Sequence, residues 1–336
     1  MRDSEVAVTP RSMISIALCT YNGAAYLPEQ LRSIAAQSRL PDELVICDDR
    51  STDGTVEILE EFAAWAPFPV QVLVNVDNLG STRNFEKAIN KCSGDVIVLS
   101  DQDDSWCANR LQATEDVLAK HPNAGAVFFD ADIVDNNLKP LGYRLWETVQ
   151  FNRRQRRQFK EGNAFEALLA HNVVAGTTLA FRAKLRNLIV PIPPQWVHDG
   201  WIAILISAVS DVVCIDLPLI RYRQHSSQQI GGRRPSIAKQ LADTQAPCNS
   251  ETYRQRPEPF RRVYERLEEA TEYEVPQRVK DLVKEKIRHM SRRAKLPANR
   301  LSRFPEIAAE LVSNRYRRFG YGWRGVLRDL LVNLDS

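Results

Sequence analysis

Acidic side chains that follow a short apolar segment are the residues best suited to chemistry. Residues 95–100 are rich in β-branched side chains and predict a buried strand, and Asp101, Asp103 and Asp104 come directly after it. Carboxylates at the end of a buried strand repel one another and lose hydration, so a cation among them would stabilise the fold. Oxygen ligands favour Mg²⁺ or Mn²⁺, and such an ion can also stabilise a diphosphate leaving group. Taken alone, these residues fit a polar turn before the next helix equally well.

The elements around these carboxylates alternate between strand and helix patterns. Strands are predicted at residues 13–20, 44–47, 70–74, 95–100 and 125–129, with helices between them. Such alternation is typical of an α/β fold with a doubly wound, mostly parallel sheet, whose ligand lies at the carboxyl ends of the strands. Polar or acidic residues occupy these ends at 20–22, 48–49 and 101–104. The sequence therefore predicts one site at this edge of the sheet.

Glycine-rich phosphate loops do not occur in the sequence. There is no GxGxxG after the first predicted strand, and neither GxxxxGKS nor GxxxxGKT occurs anywhere. If the site binds phosphates, a metal ion is the natural substitute for such a loop.

The overall composition is that of an ordinary globular protein, but its charge is unevenly distributed. Of 336 residues, 44% are hydrophobic and 26% are charged. Residues 232–336 carry 23 Lys and Arg against 14 Asp and Glu, whereas residues 1–231 carry 22 against 28. The two parts are therefore expected to meet different partners.

Cysteine spacing and apolar run lengths indicate the compartment. The six cysteines form no CxxC pair, which predicts free thiols in a reducing environment. Residues 1–11 lack the apolar core of a signal peptide, and the longest apolar run, 201–209, is too short to span a bilayer. We expect a cytoplasmic protein, and a peripheral position at the inner face of the cell membrane remains open.

Four motifs, in this order and at this spacing, resemble the inverting family 2 glycosyltransferases of the GT-A fold. They are Thr20-Tyr21-Asn22, Asp48-Asp49 with Ser51 to Thr55, Asn78-x-Gly80 with Arg83-Asn84, and Asp101-x-Asp103-Asp104. The similarity covers roughly residues 13–232. Residues 198–201 (HDGW) and 221–225 (RYRQH) look most like bacterial rhamnosyltransferases of surface-polysaccharide assembly.

The resemblance implies a nucleotide-sugar donor, a divalent cation and inversion at the anomeric carbon. It assigns donor binding to Thr20, Tyr21, Asn22, Asp48, Asp49, Arg83, Asp101 and Gln102. Arg50 stands where the family commonly has glycine, which makes the shape of the base pocket uncertain.

Metal binding and catalysis are assigned by the same resemblance. Asp103 matches the metal ligand, and His225 either completes the metal site or is a loop histidine without that role. Asp199 matches the general base, although it could equally serve only to cap the helix at Trp201. On the acceptor side the resemblance suggests Gly176 and Thr177. Trp196 and Trp201 could stack on a sugar there, but packing explains them at least as well.

Residues 233–336 are predicted to form a basic helical region beyond a GT-A domain at 13–232. Its mixture of arginines and aromatic residues fits a membrane surface, and a helical cap on the catalytic domain explains it equally well. No known nucleic-acid-binding motif is present, so no nucleic acid partner is expected.

Together these features predict a metal-dependent inverting glycosyltransferase. The expected reaction moves a sugar, with rhamnose from dTDP-rhamnose as first candidate, to a saccharide or lipid-linked acceptor in polysaccharide synthesis. A transferase with a UDP-sugar donor is the nearest alternative. A nucleotidyltransferase would need a phosphate-binding loop near the N-terminus, and residues 20–23 do not supply one. A non-catalytic carbohydrate-binding protein would not need both Asp103 and Asp199.

Overall fold

The computed structural model of the chain describes residues 11–225 and 253–332. Within these ranges, nine strands form one sheet. They are β1 Ile14–Thr20, β2 Glu43–Asp48, β3 Val70–Val74, β4 Val96–Ser100, β5 Ser105–Trp106, β6 Ala124–Val134, β7 Pro140–Arg144, β8 Leu179–Arg182 and β9 Asp211–Arg223.

The sheet has a parallel half and a mixed half. Strands β3, β2, β1 and β4 lie side by side and all run parallel, as predicted. Strand β8 then pairs antiparallel with both β4 and β6, while β9 runs parallel to β6. The short strands β5 and β7 pair antiparallel with β9 and β6. Strand β9 is long, and its register shifts near Pro218, a residue without an N–H to donate.

Helices cover both faces of the sheet and continue beyond it. Before the undescribed segment they are α1 Leu27–Ala35, α2 Thr55–Trp65, α3 Ser81–Lys91, α4 Arg110–Lys120, α5 Leu145–Thr148, α6 Arg153–Lys160, α7 Ala164–Ala170, α8 Arg186–Ile189 and α9 His198–Val209. After it they are α10 Glu258–Glu269, α11 Gln277–Ala294, α12 Phe304–Val312, α13 Arg315–Phe319 and α14 Trp323–Leu331.

Strand β1 shows how the sheet separates two apolar layers. Its alternate side chains point to opposite faces, as the pleat requires. Ala17 and Cys19 pack with α3, α7 and α9, whereas Ile16 and Leu18 pack with α1, α2 and α4. Every residue of β1 is buried, because helices cover both sides of it.

The C-terminal helices share a core with the α/β part of the chain. Val263 of α10 and Val283 of α11 belong to the same buried cluster as α7 and α9. Further along, buried Asp329 accepts hydrogen bonds from Arg293 at 2.6 and 2.8 Å, from Tyr316 at 2.7 Å and from Tyr253. The predicted helical C-terminal region is therefore present and packs as a cap. The boundary proposed at residues 232 and 233 lies outside the described residues and stays a prediction.

Candidate active site

A cleft of about 450 Å³ opens at the carboxyl ends of the parallel strands. Its walls include many residues that the sequence singled out, namely Thr20, Tyr21, Asp49, Asp101, Gln102, Asp103, Gly176, Asp199 and His225. The ends of β1, β2 and β4 thus meet at one place, as the parallel order of these strands requires.

Asp48 and Asn22, two predicted donor-binding residues, do not line the cleft: Asp48 is buried behind its wall and Asn22 is exposed beside it. The Asp48 carboxylate accepts hydrogen bonds from the Thr20 hydroxyl at 2.7 Å and from the Ser51 backbone and hydroxyl at 2.8 and 2.6 Å. The Asn22 side-chain oxygen accepts one from the Thr52 backbone at 2.8 Å. These bonds tie the end of β1 to the end of β2, so both residues shape the wall instead of facing the cleft.

Asp49 does line the cleft, but both oxygens of its carboxylate accept hydrogen bonds from other groups of the protein. Oδ1 accepts hydrogen bonds from the Leu79 backbone at 2.7 Å and the Asn75 amide at 2.8 Å, and Oδ2 accepts one from the Gly80 backbone at 2.8 Å. Gly80 has a φ of 79°, in the region that glycine enters most readily. Asp49 therefore fixes the turn that leads into α3.

The start of α3 contributes cleft residues that the sequence reasoning missed. Ser81 and Thr82 line the cleft, whereas the predicted Arg83 is exposed outside it. Neighbouring helical positions differ by about 100° in direction, so one step along the helix separates the two environments. The Asn78-x-Gly80 turn was the available signal, because the free N–H groups of a helix start favour an anion.

Gln102 and Tyr21 join the ends of β4 and β1 across the cleft floor. Oε1 of Gln102 accepts a hydrogen bond from the Tyr21 N–H at 2.8 Å, and Nε2 donates one to the Tyr21 carbonyl at 3.0 Å. A Cβ atom at Gly23 would overlap the Gln102 amide, so this close approach requires glycine. The Tyr21 side chain remains exposed at the rim.

The acidic residues after β4 occupy an electrostatically strained environment. Burial and the charges of Asp104 and Asp103 hold the pKa of Asp101 well above its usual range. Burial and the charge of Asp103 raise the pKa of Asp104 to about 7. Arg110, buried behind them with its guanidinium 3.8 Å from the centre of the Trp106 ring, has its pKa lowered by burial to about 9 and stays cationic at neutral pH. Arg110 thus interacts with Asp104 and Asp101, and the crowding of these two carboxylates with Asp103 favours a further cation on the open side.

Asp103 and His225 are adjacent at the mouth of the cleft. Nε2 of His225 lies 2.7 Å from Oδ2 of Asp103. The Tyr26 ring packs against the imidazole with 4.6 Å between ring centres. The segment that follows β9 therefore places an imidazole nitrogen beside the carboxylate that follows β4.

Arg223 holds this arrangement from behind. Its backbone N–H donates to Asp104 at 3.1 Å, and its Nε donates to the Asp103 carbonyl at 2.8 Å. The buried guanidinium also donates to the Asn136 carbonyl and pairs with Glu29. One side chain thus connects the acidic motif, the end of β9 and α1.

Asp199 lies in the first turn of α9 and lines the same cleft. Its oxygens accept hydrogen bonds from the Gly176 N–H and the Asn172 amide, both at 3.1 Å. Burial raises the pKa of Asp199 to about 6. The side chain is thus oriented by its neighbours, and its carboxylate can take a proton near neutral pH.

The neighbouring His198 is a packing residue in this structure. Its ring stacks on Phe85 at 4.0 Å, and burial lowers the pKa of His198 to about 3, which keeps the imidazole neutral. A Cβ atom at Gly176 would lie 2.6 Å from its Nε2, so glycine is required there.

The predicted acceptor-side residues fall into two groups. Gly176 and Trp196 line cavities beside Asp199. Trp201 does not: it is 1% exposed, and its indole donates to the Ile189 carbonyl at 2.7 Å inside the core. Thr177 is also fully buried. Packing, the alternative left open for Trp201, is what the structure shows.

The comparisons with known proteins show a glycosyltransferase of the GT-A fold. The chain belongs to glycosyl transferase family 2, whose model matches residues 15–189, just over half of the chain. It is 28% identical over 230 residues to the dTDP-rhamnosyl transferase RfbG of Shigella flexneri, a match that covers 66% of this chain and 76% of RfbG. Against several mycobacterial relatives, the chain spans about half of the relative's length.

Solved structures confirm the GT-A fold. Residues 1–349 of TarS from S. aureus, in complex with UDP-GlcNAc, match with a TM-score of 0.51 and 16% identity over 92% of this chain and 93% of that one. The mannosyltransferase PcManGT from Pyrobaculum calidifontis, in complex with GDP-Man and Mn²⁺, matches with a TM-score of 0.52 and 17% identity over 96% and 86%.

The ligands at Asp103 fit a hard divalent ion that is shared with a diphosphate. Mg²⁺ is usually held by one or two carboxylates, water and substrate phosphates instead of a complete protein cage. In the part of the chain that the structure describes, no three His, Cys, Asp or Glu side chains form such a cage. Asp103 and His225 offer two adjacent candidate ligands, and Asp101 and Asp104, whose pKa values are raised by burial and by neighbouring carboxylates, follow the same strand.

Arg223→Lys should destabilise the site, because an ammonium group cannot serve the Asp103 carbonyl, the Asn136 carbonyl and Glu29 together. We expect the free energy of unfolding in urea to fall by about 3 kcal/mol, the scale of lost hydrogen bonds to a charged group. Arg221→Lys, at an exposed position of the same strand, is the matched control. Equal unfolding curves for the two variants would contradict the clamping role of Arg223.

Proposed function

We propose that this protein is an inverting, metal-dependent glycosyltransferase of surface-polysaccharide synthesis. The observation that carries the proposal is one cleft, on a family 2 chain, that is lined by Asp103, His225 and Asp199. Its partners are a nucleotide-sugar donor and a saccharide or lipid-linked acceptor. A non-catalytic, carbohydrate-binding role is disfavoured, because binding alone would require neither Asp103 with His225 nor Asp199.

The donor that we propose first is dTDP-rhamnose. Support comes from the similarity to RfbG, a dTDP-rhamnosyl transferase. A UDP-sugar is the alternative, since a structural neighbour, TarS, binds UDP-GlcNAc. Donor-binding roles remain for Thr20, Tyr21, Asp49, Asp101 and Gln102, which line the cleft.

In the proposed reaction, Asp199 removes the proton from the acceptor hydroxyl. The acceptor oxygen bonds to the anomeric carbon from the face opposite the diphosphate. The bond from that carbon to the diphosphate oxygen breaks, and its electron pair leaves with the diphosphate. When bound, a divalent ion would neutralise part of that charge. Asp103 and His225 would hold the ion, and the start of α3 would face the phosphates.

The donor is identified by a hydrolysis screen across purified nucleotide sugars with Mn²⁺ or Mg²⁺. We expect one donor to be hydrolysed slowly without acceptor, hydrolysis to stop with EDTA, and Asp103→Asn to weaken Mn²⁺ binding about tenfold or more, because a charged ligand is lost. Asp77→Asn, at an exposed position, is the control. A screen in which no donor is bound or hydrolysed would overturn the transferase proposal.

Asp199→Asn should lower the transfer rate by about 10²–10⁴-fold, the usual contribution of a general base. In the parent protein kcat/KM should rise with pH through about 6, because the carboxylate acts only when ionised and its pKa is raised to about 6. Mn²⁺ binding and thermal unfolding of the variant report whether the fold is intact. Transfer at the parental rate, or a profile without the acid limb, would show that another group takes the proton.

We also propose that the protein works at the cytoplasmic face of the membrane, held there by its C-terminal helices. Among the described helices, none is long and apolar enough to cross a bilayer. However, Val312 and Trp323 are 88% and 63% exposed in a region rich in arginine. Exposed apolar and cationic side chains together favour an anionic lipid surface.

Vesicles provide the test of this contact. The protein should co-sediment with vesicles of phosphatidylcholine and phosphatidylglycerol, more weakly at high salt, and Val312→Ser with Trp323→Ser should reduce binding about tenfold. Trp65→Ser, which removes an exposed tryptophan from α2, is the matched control. Binding that is equal for neutral vesicles, or unchanged in the double variant, would contradict the proposal.

A further inference from the structure

A second cavity, of about 590 Å³, lies beside the donor cleft. Both cavities are lined by Ala175, Val197, Asp199 and Tyr222. The Asp199 carboxylate therefore stands at the border between them. A molecule in the second cavity can present a hydroxyl to Asp199 while a donor occupies the first.

The lining of this cavity is mainly apolar and uncharged. Its apolar side chains include Leu145, Val149, Val174, Trp196 and Phe260, and its polar ones include Thr148, Asn172 and Gln195. Among the lining residues that the structure describes, none is Lys or Arg, and Asp199 is the only acid. Tyr222 stays neutral, because burial and the nearby aspartates raise its pKa far above its usual value. An anionic group here would lose hydration, gain no counter-charge and face Asp199.

The Trp196 indole is held in a defined orientation at the wall of this cavity. Its Nε1 donates to the Pro259 carbonyl at 3.0 Å, next to the start of α10. Its ring meets Phe260 edge-on with 5.9 Å between ring centres. Phe260 is supported in turn by the buried Lys286, whose Nζ lies 4.4 Å from the centre of its ring. The C-terminal region thus builds one wall of the cavity and fixes an aromatic face there.

We propose that this cavity is the acceptor subsite and that it takes an uncharged sugar with an apolar face, such as a deoxyhexose. Uronic acids and sugar phosphates are then poor acceptors. The inference rests on the proposed function and specifies its acceptor. Binding sites of this kind are largely apolar, with a few polar groups that fix orientation, and Gln195 and Asp199 supply such groups here.

The first test uses water-soluble acceptors and the donor that the hydrolysis screen identifies. Methyl rhamnoside and methyl glucoside are compared with methyl glucuronide and methyl glucoside 6-phosphate. We expect kcat/KM to be at least about tenfold higher for the neutral acceptors, a difference of about 1.4 kcal/mol. Equal or better transfer to the charged acceptors would overturn the inference, as would transfer only to lipid-linked acceptors whatever their sugar.

Variants of the cavity wall provide the second test. Trp196→Ala and Phe260→Ala should raise the acceptor KM about tenfold more than they change the rate of donor hydrolysis, and Trp196→Phe should restore part of the loss. Trp65→Ala is the control. An unchanged acceptor KM in both alanine variants would place the acceptor elsewhere.

Gln195→Arg addresses the charge argument without disturbing the core, because Gln195 is exposed. The added cation should improve kcat/KM for methyl glucuronide selectively, by about tenfold, and an unaltered preference would contradict the charge argument.

Failure of the inference is distinguishable from failure of the proposed function. If only the inference fails, donor hydrolysis persists but neutral acceptors are not preferred over charged ones. If the proposed function fails, no donor is hydrolysed.

Discussion

The structure depends on keeping three carboxylates together at the buried end of β4. Carboxylates in such a place need compensation, and the chain supplies it from distant segments. Arg110 comes from the start of α4, while Arg223 and His225 come from the end of β9. For β9 to reach this point it must pair with β5, next to the acidic motif, and so the mixed half of the sheet closes around the cluster. Much of the topology beyond β4 therefore serves one electrostatic requirement.

The sequence predicted the parallel half of the sheet and the position of the cleft, because buried β-branched runs and the acids after them are local signals. It could not predict which polar residues face the cleft. Asp48 and Asp49 are adjacent in sequence, yet only Asp49 lines the cleft, since side chains alternate at a strand end. In the same way, Thr82 lines the cleft, whereas Arg83, one position further along the helix, does not. Trp196 and Trp201 are the same residue type at nearby positions, and the sequence could not separate their roles. Trp201 lies within α9, whose buried side faces the core. The antiparallel insertion of β8 depends on pairing between distant segments, which no local pattern specifies.

The C-terminal helices are better understood as part of the transferase than as an appendage. They share a hydrophobic cluster with α7 and α9, and Arg266 of α10 donates hydrogen bonds to the Leu188 and Val190 carbonyls at 2.9 and 2.6 Å. The cluster around Asp329 gives the last helices a polar core of their own. A region held in this way can present both an outer apolar surface and an inner cavity wall without moving relative to the catalytic residues.

The hydrogen bond from Trp196 to the Pro259 carbonyl joins two stretches of sequence that are far apart in the chain. Among the residues that the structure describes, those that line the donor cleft all lie before residue 226, whereas Phe260 comes after it. On the proposed assignment, the later segment contributes Pro259 and Phe260 to the acceptor cavity, while the other described residues that line it, Asp199 among them, lie before residue 226. A substitution at Phe260 would then change which product is made and leave the donor-lining residues untouched, so a lineage could diversify its surface glycans without rebuilding its catalytic apparatus.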